Sequence, residues 1–235
     1  MKLKLIFSMV FFVSISNLDA QNVSNKLWTE DDRKELLAGL HSTQLELMKE
    51  VKSLNKTQIT FKPDSSKWSI AEVLEHLGTF EELLQWDLYC NQFTPEQSGL
   101  TLNTEEKDRL MINYAIDTVK GKAPSVAQPL GRFNELDALK SYFNYHRENV
   151  IKWIETTSTD LRKHYIYRPS EWGNWAERDL HQYVLVYIAH TTRHIHQIQK
   201  IKASSNFPKS GNIWLEKDRQ YLLAELERSQ KEVIE

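Results

Sequence analysis

Residues 187–199 of this chain read Tyr187-Ile-Ala-His-Thr-Thr-Arg-His-Ile-His-Gln-Ile-Gln199 and lie in a long segment without Pro or Gly, which predicts a helix. His190 and His194 are four residues apart, so they lie on one helical face. Two imidazoles on an otherwise apolar, core-facing stripe each need a partner for a ring nitrogen, because burying an unpaired polar group is costly. A metal ion is one such partner, and the chain must then supply at least one more ligand. The stripe consists of Tyr183, Tyr187, His190, His194, Gln197 and Ile201.

The first twenty residues predict an export signal rather than part of the fold. Lys2 and Lys4 form a short basic start, residues 5–13 are almost wholly apolar, and Ala20 offers a small residue at a suitable cleavage point. The alternative is an uncleaved N-terminal anchor, although the apolar run is short for a membrane span. We therefore expect residues 1–20 to be a cleaved signal peptide, with a periplasmic or extracellular mature protein and no stable membrane span left in it.

The composition favours a single domain built from long helices. About 215 residues remain after signal removal, which is enough for one sizeable core, and the whole chain has only seven Gly and six Pro. Cys90 is the single cysteine, so packing, together with a metal if one binds, must hold the fold. Removing residues 1–20 takes away two Lys and one Asp and leaves 28 basic and 31 acidic residues, a balance that gives no support for nucleic-acid binding.

Four long amphipathic segments predict an all-α fold, an antiparallel four-helix bundle with long loops. Capping boxes mark the starts of the first two helices, at Thr29 with Asp32 and at Ser69 with Glu72, and Asn134 is the predicted cap of the third. We expect the bundle to occupy residues 21–203 and residues 204–235 to form a linker and an added amphipathic C-terminal helix. The predicted connections are a short helix over residues 104–120, an irregular segment over residues 121–131, and a loop over residues 156–177.

His76, on the core side of the second helix, is the third histidine that a metal site requires. On its own such a residue is typical of a hydrogen-bonded core histidine, but a separate His-x-x-x-His helix favours metal. Three neutral imidazoles plus water are the ligand set of an open, catalytic-type site, and they suit zinc or nickel better than magnesium or calcium. His146 could be a fourth ligand or a hydrogen-bonded histidine, whereas His196 points away from His194.

Two motifs resemble those of the DinB-like superfamily, which includes metal-dependent hydrolases and thiol-dependent transferases. They are Trp68-Ser-Ile-Ala-Glu-Val-Leu-Glu-His76-Leu and, far downstream, His190-Thr-Thr-Arg-His194-Ile-His-Gln197. The resemblance covers about residues 28–203. It implies a four-helix bundle with a divalent metal on one histidine of the second helix and two of the last, here His76, His190 and His194. Homodimerisation is also expected by family analogy.

Three functions are compatible with this pattern. The first is a metal-dependent hydrolase or transferase acting on an unknown small molecule, in which metal-bound water attacks an electrophilic centre. Glu72, one turn before His76, is then a candidate general base, although its alternative role is the reciprocal half of the capping box with Ser69. The second is a non-catalytic module whose ion staples two helices, and the third is a structural or partner-binding bundle with hydrogen-bonded histidines.

Overall fold

The computed structural model describes residues 27–97, 104–116, 123–169, 175–209 and 223–224. The predicted signal peptide lies outside these residues and stays a prediction, as does nearly all of the predicted C-terminal helix. None of the described helices is both long and apolar enough to cross a bilayer. The helices are α1 (Glu30–Val51), α2 (Lys56–Thr60), α3 (Ile70–Asn91), α4 (Thr104–Ile116), α5 (Leu136–Thr156) and α6 (Leu180–Lys202), and the strands are β1 (Tyr165–Pro169) and β2 (Trp175–Asp179).

Helices α1, α3, α5 and α6 form the predicted four-helix bundle, in which α1 and α3 each pack against both α5 and α6. Helices α3 and α5 run parallel, because Gly78 faces Tyr142 towards the start of both helices and Tyr89 contacts Trp153 towards their ends. The long connection between them, residues 92–135, allows the chain to return in the same direction.

Helices α1 and α6 are the second parallel pair. Trp28 Nε1 donates to His181 Nδ1 at 3.1 Å at the start of both helices, and Lys202 Nζ contacts a Glu50 carboxylate oxygen at 2.6 Å at their ends. The remaining neighbours, α1 with α5 and α3 with α6, run antiparallel. The bundle therefore has two helices in each direction, but only half of its neighbouring pairs are antiparallel.

Capping boxes begin three of the four bundle helices, and the two that the sequence predicted are both present. In each box a side chain at the cap accepts from a backbone N–H of the first turn, which satisfies a donor that has no partner within the helix. The prediction for Asn134 was wrong, because α5 begins one residue later, with Glu135 at the cap and no side-chain cap bond. The boxes are Thr29/Asp32 in α1, Ser69/Glu72 in α3 and Asp179/Gln182 in α6.

An antiparallel hairpin of β1 and β2 corrects the loop predicted for residues 156–177. Tyr165 and Ile166 are both buried and Tyr167 is half-exposed, so the start of β1 packs against the core. Each strand is only five residues long, and the buried residues Tyr165 and Ile166 are consecutive, so no period-two pattern marks β1 in the sequence. Asp179 ends β2 and also caps α6, so the hairpin fixes where α6 begins.

A fully buried ion pair joins α3 to α5 in the middle of the bundle. Arg147 is 0% exposed and Glu81 is 1% exposed. The pair is bidentate, with Arg147 Nε 2.7 Å from Glu81 Oε2 and Arg147 Nη2 2.6 Å from Glu81 Oε1. Apolar clusters lie on both sides, one including Leu40 and Leu84 and the other including Phe143. The pair therefore forms a polar layer between two apolar layers.

The other guanidinium protons of Arg147 are satisfied by α1 and α6. Nη1 donates to the Leu40 carbonyl and to Thr43 Oγ1, both at 2.9 Å. Nη2 also donates to Thr191 Oγ1 at 2.9 Å. A guanidinium group has five N–H donors, and here every one has an acceptor. All four bundle helices thus contribute to this group of residues, which we call the Arg147 layer (Leu40 through its carbonyl, and the side chains of Thr43, Glu81, Arg147 and Thr191).

Replacing one member of the ion pair should destabilise the protein strongly. Arg147→Met leaves the Glu81 carboxylate buried without its counter-ion, and such a change costs about 3–5 kcal/mol. Urea denaturation followed by circular dichroism measures the free energy of unfolding. The double variant Arg147→Met/Glu81→Leu should recover most of the loss, because it removes both charges. A single variant as stable as the wild type would contradict this account of the Arg147 layer.

Candidate metal centre

His76, His190 and His194 meet between α3 and α6, as the sequence predicted. His190 Nε2 lies 3.3 Å from His76 Nε2 and 3.1 Å from His194 Nε2. The potential ligand atoms of the three residues all lie within 4.8 Å of one another. The four-residue spacing on α6 and the antiparallel packing of α3 bring the three Nε2 atoms to one point.

Hydrogen bonds at the opposite ring nitrogens set the tautomers of two histidines. His76 Nδ1 donates to the Ala127 carbonyl at 2.7 Å, and His194 Nδ1 donates to Gln197 Oε1 at 2.7 Å. Because a carbonyl oxygen only accepts, Nδ1 carries the proton in both rings. The Nε2 atoms of His76 and His194 therefore present lone pairs to the centre of the cluster.

The donor set fits a divalent cation better than it fits hydrogen bonding alone. His190 Nε2 faces both lone pairs but can carry one proton at most, and His190 Nδ1 is buried with no hydrogen-bond partner among the described residues. Without a cation, the one proton that His190 Nε2 can carry satisfies only one of these two lone pairs. The other buried nitrogen then has no hydrogen-bond donor, which is costly. Zinc–nitrogen bonds of about 2.0–2.1 Å in a tetrahedron separate two ligand nitrogens by about 3.3 Å, close to the two separations around His190.

Burial keeps all three imidazoles neutral near neutral pH. Loss of solvation lowers the pKa of His76 to about 4 and that of His194 to about 3. The pKa of His190 falls well below its ordinary value because of burial and, next, its electrostatic interactions with His194 and His76. Neutral imidazole is the form that binds metals, so burial prepares the site for a cation.

Glu75 is a positioning residue that the sequence reasoning missed. Its buried carboxylate accepts from the Leu130 and Gly131 backbone N–H groups at 3.0 and 2.8 Å, and from Arg132 Nε at 2.9 Å. Gly131 has a φ of 71°, a left-handed conformation that suits glycine. These contacts hold the segment whose Ala127 carbonyl orients His76. The backbone partners of Glu75 lie 55 and 56 residues away in the chain, so no local pattern in the sequence identifies this role.

Glu72, the candidate general base, makes the contacts of a capping residue. Its Oε2 accepts from the Ser69 backbone N–H at 2.7 Å, and its Oε1 is 2.7 Å from Lys62 Nζ. It does not line the cavity beside the histidines. Its catalytic role stays a prediction that these contacts do not support.

Two further histidines lie away from the cluster. His146 Nδ1 is hydrogen-bonded to Gln85 Oε1 at 2.8 Å, and His196 is exposed. Tyr187, one turn before His190, bonds through its hydroxyl to Tyr183 at 2.8 Å. Among the described residues, the group that could hold an ion therefore contains three histidines and no fourth ligand.

A cavity of about 610 Å³ opens directly beside the three histidines. The ring centroids of Phe80 and His190 are 4.3 Å apart. The rings of Trp68 and His194 are nearly parallel, with an interplanar angle of 17° and centroids 6.4 Å apart. The cavity is thus apolar and aromatic close to the imidazoles. Its polar and charged walls are Ser66, Lys67, Gln128, Arg193 and Gln197.

The bundle and its histidines define a helical protein with a candidate metal centre on two facing helices. The chain belongs to the DinB superfamily, whose family model matches residues 40–198. Among solved structures, the chain is similar to one described as "YfiT from Bacillus subtilis is a probable metal-dependent hydrolase with an unusual four-helix bundle topology". The similarity has a TM-score of 0.53 at 9% sequence identity and covers 77% of this chain and 91% of YfiT, so it supports the fold. No curated protein sequence matches the chain.

The two members of the α3 capping box, Ser69 and Glu72, should respond differently to substitution. Ser69→Ala should lower the free energy of unfolding by about 1 kcal/mol, the usual effect of losing such a cap. Glu72→Gln should leave stability close to the wild type, because glutamine can accept the same Ser69 N–H. Urea denaturation of both variants measures the difference. Equal stability of Ser69→Ala and the wild type would show that the cap does not hold the start of α3.

Proposed function

We propose that this protein is a metal-dependent hydrolase that holds a divalent ion, zinc or nickel, on His76, His190 and His194. The observation that carries the proposal is the convergence of three neutral Nε2 atoms at the wall of an open cavity. Membership of the DinB superfamily and the likeness to a probable metal-dependent hydrolase support it. A divalent ion in this site supplies a Lewis acid that activates water and polarises an electrophilic substrate group.

The side chains around the histidines prepare the site before any ligand arrives. The Ala127 carbonyl and Gln197 fix the ring orientations of His76 and His194, which keeps both lone pairs directed at the ion position. Phe80 and Trp68 exclude water from one side of the imidazoles and offer apolar surface to a substrate. These residues position the reacting groups without taking part in proton transfer.

The open cavity favours catalysis over a purely structural ion. Structural zinc sites have four protein ligands, whereas catalytic sites keep a position for water or substrate. The described residues supply three ligands, and the cavity lies next to them. His146, the fourth ligand considered from the sequence, is bonded to Gln85 instead. A substrate therefore has direct access to the position that the protein leaves open.

Elemental analysis of the purified protein tests the site. We expect about one equivalent of zinc or nickel per chain after reconstitution, and loss of that metal in His76→Ala, His190→Ala and His194→Ala, since each removes one of three ligands. His146→Ala is the matched control, because it deletes a partly buried bundle histidine outside the cluster. Unchanged metal content in the ligand variants would contradict the site.

Hydrolysis by the metal-loaded protein tests the activity. We expect turnover on a panel of carboxylic esters, lactones, amides and phosphoesters to be abolished by chelation and in His190→Ala, because both remove the ion. His146→Ala should retain the wild-type rate. Turnover that is equal in the wild type and in His190→Ala would reject this centre as the catalyst. Full metal content with no hydrolysis of any panel member would instead favour the non-catalytic metal-binding bundle.

A further inference from the structure

The cavity beside the histidines has a positively charged wall. Its described lining includes two cationic side chains, Lys67 and Arg193, and no acidic one. The three imidazoles are neutral, so they would not compensate the charge of a divalent ion. A cation bound there would therefore add its charge to that of the two basic side chains. Such an accumulation of positive charge favours an anionic ligand.

Arg193 should attract an anion more strongly than Lys67 does, because Arg193 is half-buried while Lys67 is exposed. It lies on α6 between His190 and His194, and its charge helps to lower the pKa of all three histidines after the larger effect of burial. Among the described residues, the Arg193 side chain makes no hydrogen bond or ion pair. By contrast, Arg132, Arg147 and Arg162 each bind a carboxylate.

We propose that the substrate carries an oxyanion, a carboxylate or a phosphate, which Arg193 binds in this cavity while an apolar or aromatic part packs against Trp68 and Phe80. The proposal rests on the proposed function, because it names the substrate class of the same site. A planar guanidinium group binds either oxyanion through two parallel hydrogen bonds. Partial burial strengthens such a contact, since the attraction between charges grows as solvent is excluded.

The arrangement also predicts discrimination against neutral molecules of the same shape. When a neutral isostere fills the cavity, it offers no counter-charge to the Arg193 guanidinium. A polar group left unpaired in a binding site reduces affinity. The aromatic walls alone accept either molecule, because their contacts depend on shape and apolar area. Charge recognition by Arg193 would therefore decide specificity, and Lys67 would strengthen attraction at the exposed edge.

Calorimetric titration of the zinc-loaded full chain with three probes tests this inference. Benzoate carries a carboxylate, phenyl phosphate carries a phosphate, and benzyl alcohol is neutral. We expect at least one anion to bind more tightly than benzyl alcohol, and Arg193→Gln to weaken that anion by about tenfold or more. Tighter binding of benzoate or of phenyl phosphate identifies which oxyanion the site takes. No preference for either anion over benzyl alcohol would overturn the inference.

Two further variants test whether Arg193 itself is the group that binds the anion. Arg193→Lys retains the charge without the planar fork and should bind the anion with intermediate affinity. Lys200→Gln removes one positive charge from an exposed position of the same helix and should leave binding unchanged. If Arg193→Gln binds the anion as tightly as the wild type, or if Lys200→Gln weakens it equally, Arg193 is not the binding group.

Metal analysis of the same samples separates this inference from the proposed function. We expect Arg193→Gln to keep the wild-type zinc content, because Arg193 is not a ligand. If the wild type holds no metal, the proposed function fails, and the titrations are compared on the metal-free wild type and Arg193→Gln. Loss of anion binding in Arg193→Gln would then still support an oxyanion site at Arg193, and equal binding would overturn it.

Discussion

Arg147, on α5, is held by polar groups from the other three bundle helices, and the relative positions of all four helices depend on it. A guanidinium group buried among apolar layers must find an acceptor for each N–H, because an unpaired one is costly in that environment. Glu81 supplies two acceptors, and the Leu40 carbonyl, Thr43 and Thr191 supply the rest. Sliding any one helix by a turn would leave a buried charge or donor without its partner.

The candidate metal centre inherits its alignment from that layer. Thr191 directly follows His190 on α6, and Glu81 lies little more than one turn after His76 on α3. When Arg147 binds both Glu81 and Thr191, it fixes the height at which α3 faces α6, and with it the distance between the histidines. A second buried carboxylate on α3, that of Glu75, then fixes the loop that orients His76. On α3, Glu81 thus aligns the helices of the bundle, and Glu75 positions the loop beside the candidate metal centre.

Local signals in the sequence predicted the bundle, and together with the family resemblance they selected the three histidines that the structure brings together. The four-residue spacing of His190 and His194 and the capping box at Ser69 each depend on neighbours within one or two helical turns, so they can be read without a structure. The roles of Glu75 and Arg147 depend on partners far away in the chain. On a helix, a charged residue that is buried and paired looks the same in sequence as one that faces water, and only the packed structure distinguishes them.

The Arg147 layer also bears on the rates at which the protein folds and unfolds. Its members come from residues 40–191, so the complete set of contacts can form only after four distant helices have docked. Interactions that are absent from the transition state do not speed folding, but they must be broken for the chain to open. The layer therefore contributes mainly to the barrier against unfolding, and it extends the lifetime of the native state more than it shortens the time needed to reach it.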